Sequence, residues 1–181
     1  MNLRTSAPSA TPATIIGYDA GMTPTHAALL PILRNSLAML REALDGLPDE
    51  ATGWTPAPNT NSLTVLTVHS LTSVRFFLGN GSGHTRTIAA YRADDRTPAF
   101  ASPGQSSAEL IARIDATLPE LEVLLENASE ADLTVKMTWP PEDAATLPAT
   151  GGGCLFHAIA HLREHVGQAQ LMRDLWLART I

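Results

Sequence analysis

The residues that decide the fold are His161-Leu162-Arg163-Glu164-His165-Val166-Gly167-Gln168. They lie in a segment, about 154 to 178, whose apolar residues recur at helical spacing. Residues four positions apart share one face of a helix, so both imidazoles can reach one metal ion. A third histidine, His69, lies in an earlier helical segment. Three neutral imidazoles with an open fourth position are the ligand pattern of a catalytic metal site.

Helical periodicity recurs in four long segments. The predicted helices run from Pro24 to Leu44, from the N-cap Ser62 to about Leu78, from Ser106 or Ser107 to about Leu125, and from about Cys154 to Ala178. Thr23 is the predicted N-cap of the first helix. Residues 151–153, all glycine, are expected to form a flexible entry to the last. Four amphipathic helices without convincing strands predict an all-α protein, a four-helix bundle with its site on facing helices.

Two other stretches depart from this pattern. Residues 80–105 form a long polar connection that a hairpin of helices would not need, which indicates a crossover or part of a site. Residues 134–139 alternate with period two and are expected as a short strand, although a single strand has no partner.

Composition and charge limit the class of function. The 181 residues fit one domain, predicted at 23–181, after an N-terminal arm at 1–22 rich in small residues and proline. The net charge is −6 and no basic cluster is present, so we expect no nucleic-acid partner. No apolar run predicts a membrane span, and the single Cys154 excludes an intramolecular disulfide. Without a secretory signal pattern, we expect a cytoplasmic protein.

Spacing alone leaves the ligand set open. His157 and His161 form a competing pair four positions apart. His69 lies among apolar residues and could instead be a core histidine bonded to a backbone carbonyl. Arg75 and Gln168 are candidates to face the mouth of the pocket and bind a cofactor or substrate.

Four further side chains are expected to lie away from the metal. Glu164 points about 100° away from His165 and is interpreted as a solvated carboxylate or one that contacts a ligand. Cys154 lies about 10 Å along the helix from His161 and is expected to be a small buried apolar residue. His26 and His84 are expected to be solvated.

Three stretches carry a family resemblance: residues 44–63, residues 69–79, and residues 157–176 with their His-x-x-Glu-His-x-Gly-Gln core. They resemble the DinB-like, or YfiT-like, family. The resemblance implies a four-helix bundle of up-down-down-up topology, commonly a homodimer, with a divalent metal held by three histidines.

Matched residue by residue, the resemblance places the metal ligands at His69, His161 and His165. His157 corresponds to a frequent extra histidine one turn earlier. Glu164 stands where many members carry the first histidine of an adjacent pair. Imidazole ligands suit zinc and nickel as well as iron or copper, with manganese a further candidate.

The resemblance also implies a low-molecular-weight thiol as cosubstrate, because related enzymes use mycothiol or bacillithiol, among them S-transferases and a maleylpyruvate isomerase. A metal with an open position can lower the pKa of a bound thiol and present a thiolate to an electrophilic small molecule. The first hypothesis is therefore a metal-dependent thiol S-transferase.

Two rival hypotheses stay open. The same metal could activate water for amide or ester hydrolysis, for which His157 and Glu164 are the only nearby candidates as catalytic base. A non-catalytic, stress-associated metal-binding dimer is the third hypothesis.

Overall fold

The computed structural model describes residues 22–179 and contains no strand among them. Its α-helices are α1 (Pro24–Leu44), α2 (Asp49–Gly53), α3 (Leu63–Gly81), α4 (Ile88–Tyr91), α5 (Thr97–Phe100), α6 (Ser107–Glu126), α7 (Glu130–Thr134) and α8 (Gly151–Ala178). A π-helical turn, Arg92–Arg96, joins α4 to α5. The prediction of an all-α protein is confirmed. Every helix in this part of the chain is too short or too polar to cross a membrane. Of the predicted N-terminal arm only Met22 lies within the described residues, and it packs against the core.

Side-chain caps set the starts of the long helices where the sequence predicts them. The Thr23 hydroxyl accepts a hydrogen bond from the backbone N–H of His26 at the start of α1. Ser62 caps α3 in the same way. The N-cap residue of α6 is Ser106 and not Ser107, and Ser106 forms a reciprocal capping box with Glu109. These bonds satisfy backbone N–H groups that the first turn of a helix leaves without partners.

The start of α8 differs from the prediction. Residues 151–153 form its first turn rather than a flexible entry, and the Thr150 hydroxyl caps that turn. A Cβ on Gly151 would lie 2.0 Å from the backbone oxygen of Asp132, and one on Gly81 would lie 2.6 Å from the Leu155 side chain. Glycine is therefore needed here for close approach between helix ends and not for flexibility.

The short strand predicted at 134–139 is also wrong. Only an isolated antiparallel bridge forms, between Lys136 and Thr150. Thr134 is the last residue of α7, and residues 135–139 lie in a loop. A single strand has no second strand to pair with, and this bridge connects the loop to the residue before α8.

The four long helices share one core. α3 packs against α8 and α6, and α1 packs against the same two helices. The core is rich in leucine, and several side chains are completely buried, including Leu33, Leu40, Leu110 and Leu162. Each such leucine contributes about 1.5–3 kcal/mol to folding through removal of apolar surface from water. α3 is buried along most of its length, so a polar residue in its middle, such as His69, is held away from bulk solvent.

His26 does not have the solvated position expected of it, whereas His84 is exposed as expected. His26 is fully buried beneath the first turn of α1, with its Nδ1 2.5 Å from the Thr23 hydroxyl. Burial lowers the pKa of His26 despite the opposing charges of Glu130 and Asp132. Both of these carboxylates belong to α7, which packs against α8.

Gly151→Ala is expected to lower the free energy of unfolding by about 1–3 kcal/mol, because the added methyl group overlaps the Asp132 carbonyl oxygen. Gly167→Ala is the matched control in the same helix. A Cβ at Gly167 meets nothing within 4 Å, and alanine is a better helix former than glycine. Gly167→Ala should therefore raise the free energy of unfolding by up to about 1 kcal/mol. Denaturant unfolding of the metal-free protein measures both; a loss of equal size in the two variants would contradict the account of Gly151.

Candidate metal centre

Three histidines from two helices meet in the groove between α3 and α8. One ring nitrogen from each of His69, His161 and His165 lies within 4.8 Å of the others. The Nε2 atoms of His161 and His165 are 3.3 Å apart. The centroid of the His69 ring lies 5.1 Å from the centroid of the His161 ring and 5.0 Å from that of the His165 ring. His69 and His165 are buried and His161 is half-buried. Among the described residues, no fourth histidine, cysteine or carboxylate joins this group.

The spacing of the two α8 nitrogens fits a metal ion, and the His69 nitrogen lies within 4.8 Å of them. Two ligands of a tetrahedral zinc ion, each about 2.0–2.1 Å from the metal, lie about 3.3–3.4 Å apart. The Nε2 atoms of His161 and His165 have this separation. Nδ1 of His69 is buried with no hydrogen-bond partner among residues 22–179. A buried ring nitrogen without a partner is uncommon in folded proteins, and it indicates a ring free to bind a ligand.

Gln168 fixes the orientation of one ligand. Nδ1 of His165 lies 2.9 Å from the Gln168 side-chain oxygen. An amide oxygen only accepts hydrogen bonds, so Nδ1 carries the proton and Nε2 keeps its lone pair towards His161. A hydrogen bond of this kind, behind a metal-binding histidine, orients the ring and increases its basicity.

The environment favours the neutral form of His69 and His161. Burial lowers the pKa of His69 to about 3, helped by positive charge at His165 and His161. Burial likewise lowers the pKa of His161 to about 4, helped by His165 and His157. Metals bind the neutral imidazole, so at neutral pH protons do not compete for these two ligands.

His157, the alternative ligand that spacing left open, lies outside the group of three converging histidines. The ring of His157 lies 5.6 Å from that of His161 and packs against the edge of Phe77, at 4.2 Å. His157 therefore lies beside the triad, one turn along α8. Burial lowers the pKa of His157, and the opposing charge is that of the exposed Glu164. Cys154 is buried and free, as expected, and burial raises the pKa of its thiol to about 11.

Arg75 lies on a different face of α3, about 240° round the helix from His69. Its guanidinium donates hydrogen bonds to Glu120 and to the hydroxyl of Thr117, both in α6. It lines a cavity of about 530 Å³ together with Thr72 and His84, and none of the three triad histidines lines that cavity. This cavity is larger than the one described next but has no donor set for a metal.

A second cavity lies next to the triad. It has a volume of about 290 Å³ and is lined by Gln168, which bonds to His165, and by Leu66, one turn before His69. Its other lining residues come from the loop before α3 and the end of α8 and are Pro56, Asn59, Thr60, Asn61, Leu171, Met172 and Leu175. The cavity is mostly apolar with a polar rim, which is typical of a small-molecule site.

Two residues at the site were missed from the sequence. The Phe100 ring lies 4.7 Å from the His69 ring, and the Arg96 guanidinium lies over the Phe100 ring at 4.8 Å. Both belong to the polar stretch 80–105, which has no helical periodicity long enough to place them. The only available signal was their spacing of four residues, which favours contact if the segment is helical.

The fold and the triad together define a class: helical proteins in which histidines on two facing helices converge to form a possible metal site. A family model described as the DinB superfamily matches residues 32–169, which is well over half of the chain. The chain belongs to the DinB superfamily. No curated protein matches it at a significant level.

Gln168→Ala is expected to weaken metal binding about 10- to 100-fold, because His165 loses the acceptor that orients its ring. Gln170→Ala, the same change two residues later in α8, should leave the affinity within about 2-fold of the wild type. Competition with a chromophoric chelator measures the dissociation constant of zinc for each protein. Equal affinity in the two variants would show that Gln168 does not support the ligand.

Proposed function

We propose that this chain is a divalent-metal-dependent thiol S-transferase that joins a low-molecular-weight thiol to an electrophilic small molecule. The observation that carries the proposal is the convergence of His69, His161 and His165, a donor set of three imidazoles. Three protein ligands leave a position for an external ligand, which is the pattern of catalytic and not of structural metal sites. Zinc or nickel is the proposed metal, since imidazole ligands suit both.

A divalent metal held by these imidazoles would supply the positive charge that lowers the pKa of a thiol. The other steps fall to residues of this chain. Gln168 holds His165 in the tautomer that faces the site, and the cavity beside it takes the electrophile. His157 is neutral and lies next to His161, so it is the candidate to accept the proton of the thiol, with Glu164 favouring its protonated form.

The same proposal includes the architecture that the family resemblance implies. The four long helices are proposed to form a four-helix bundle of up-down-down-up topology. Its support is the ring of contacts in which α1 and α3 each pack against α6 and α8. A cytoplasmic homodimer is proposed as well. The exposed Phe156 of α8, 64% accessible, supports an apolar contact between copies.

Hydrolysis is the second candidate, and His157 is the observation that favours it. A neutral imidazole one turn from a metal ligand can accept a proton from water as well as from a thiol. The two reactions differ in their need for a thiol, so one assay separates them.

The metal-loaded protein is expected to conjugate bacillithiol or mycothiol to 1-chloro-2,4-dinitrobenzene, with His161→Ala reduced to the uncatalysed rate. Cys154→Ala is the control: this thiol is buried with a raised pKa, so its loss should change the rate by less than about 2-fold. Product formation followed by absorbance measures the rate. Thiol-independent cleavage of an ester would favour hydrolysis, and bound metal without either activity would favour a non-catalytic site.

A further inference from the structure

The segment that covers the triad is held firmly by other contacts. Tyr91 is buried, its ring stacks on Phe76 at 4.3 Å, and its hydroxyl bonds to Ser73. Arg92 forms a two-pronged ion pair with Asp143, at 2.9 and 2.5 Å. The π-helical turn Arg92–Arg96 thus starts from a fixed point, and π-helical turns are frequent at functional sites.

Three arginines belong to this part of the chain, and one of them has no anionic partner. Arg86 is paired with Asp94 and Asp95, and Arg92 is paired with Asp143. Arg96 forms no ion pair within the described residues, and its exposed guanidinium lies over the face of the Phe100 ring. Stacking on an aromatic ring supports the guanidinium and leaves its N–H groups free for a bidentate acceptor.

Arg96 lies close to the triad. Its guanidinium carbon is 4.8 Å from the centroid of the Phe100 ring, and that centroid is 4.7 Å from the centroid of the His69 ring. A positive charge beside a cation site opposes metal binding, although Arg96 is exposed and water screens the repulsion. The arrangement becomes favourable when an anion lies between the two positive charges.

We propose that Arg96 is a specificity-determining residue that binds a carboxylate on the molecule occupying the open position of the triad. This inference rests on the proposed function for the nature of that molecule, a small thiol, and adds that the thiol carries a carboxylate. The guanidinium binds the carboxylate through charge-assisted hydrogen bonds, and the Phe100 ring, which contacts the His69 ring, supports the guanidinium. No covalent bond changes in this step.

The competing explanation is structural. Arg96 and Phe100 are four residues apart, and such a pair stabilises a helical turn by a few tenths of a kcal/mol without any ligand. A structural pair affects all ligands alike. A carboxylate-binding arginine affects only those ligands that carry the charge.

The test uses the full chain loaded with cobalt(II) and three thiols: 3-mercaptopropionate, 2-mercaptoethanol and cysteamine. Their dissociation constants are measured by the thiolate-to-cobalt absorption band. Arg96→Gln is expected to weaken the binding of 3-mercaptopropionate about 10- to 100-fold. The same substitution should weaken the binding of 2-mercaptoethanol by less than about 2-fold and should not weaken the binding of cysteamine. Each thiol is compared between variant and wild type, so differences in the pKa of the three thiols do not affect the ratio of dissociation constants. Arg96→Lys should restore part of the loss, and Arg113→Gln, at an exposed position in α6, should cause none.

The outcomes separate this inference from the proposed function. If thiols bind but Arg96→Gln weakens all three equally, or Arg113→Gln has the same effect, the assignment of Arg96 is overturned while thiol binding stands. If no thiol gives the absorption band in the wild type, the thiol function fails, and acetate then serves as the probe. Acetate binding that shifts the cobalt spectrum and is lost in Arg96→Gln would support the carboxylate site; acetate binding unchanged by the substitution, or absent from the wild type, would overturn it.

Discussion

The contact between α3 and α8 is the constraint on which the site depends. α3 is buried on most of its surface, and it brings His69 against the face of α8 that carries His161 and His165. Neither helix alone supplies enough ligands for a metal. Because the packing of the two helices fixes the distances between the three rings, the core that stabilises the fold also assembles the site.

Without a ligand, the three buried or half-buried histidines lower the stability of the fold. Burial lowers the pKa of His69 and of His161 far below the usual value, and Nδ1 of His69 has no hydrogen-bond partner among the residues described. Burying polar groups without partners costs free energy of folding, which a bound metal would recover. Gln168 bonds to His165 at the edge of the site, and the Arg96 guanidinium lies over the Phe100 ring, which contacts His69.

The sequence predicts those features that depend on local chemistry. Thr23, Ser62 and Ser106 are capping residues, and the helices begin where they predict. The pair His161 and His165 follows from helical spacing, although spacing alone could not choose it over His157 and His161. Features that depend on distant packing were not predictable. The helical start at Gly151 requires contact with Asp132, and the cover formed by Phe100 requires a short helix anchored by Tyr91. A sequence pattern does not contain those contacts.

We propose that His69, His161 and His165 bind one divalent metal and leave a position for an external ligand. X-ray absorption spectroscopy of the zinc-loaded full-length protein tests this coordination, because imidazole rings give distinctive multiple scattering. The expected result is one zinc per chain with three imidazole nitrogens and one further light atom, all at about 2.0–2.1 Å. A sulfur ligand at about 2.3 Å, fewer than three imidazoles, or a protein that retains no metal would contradict the account.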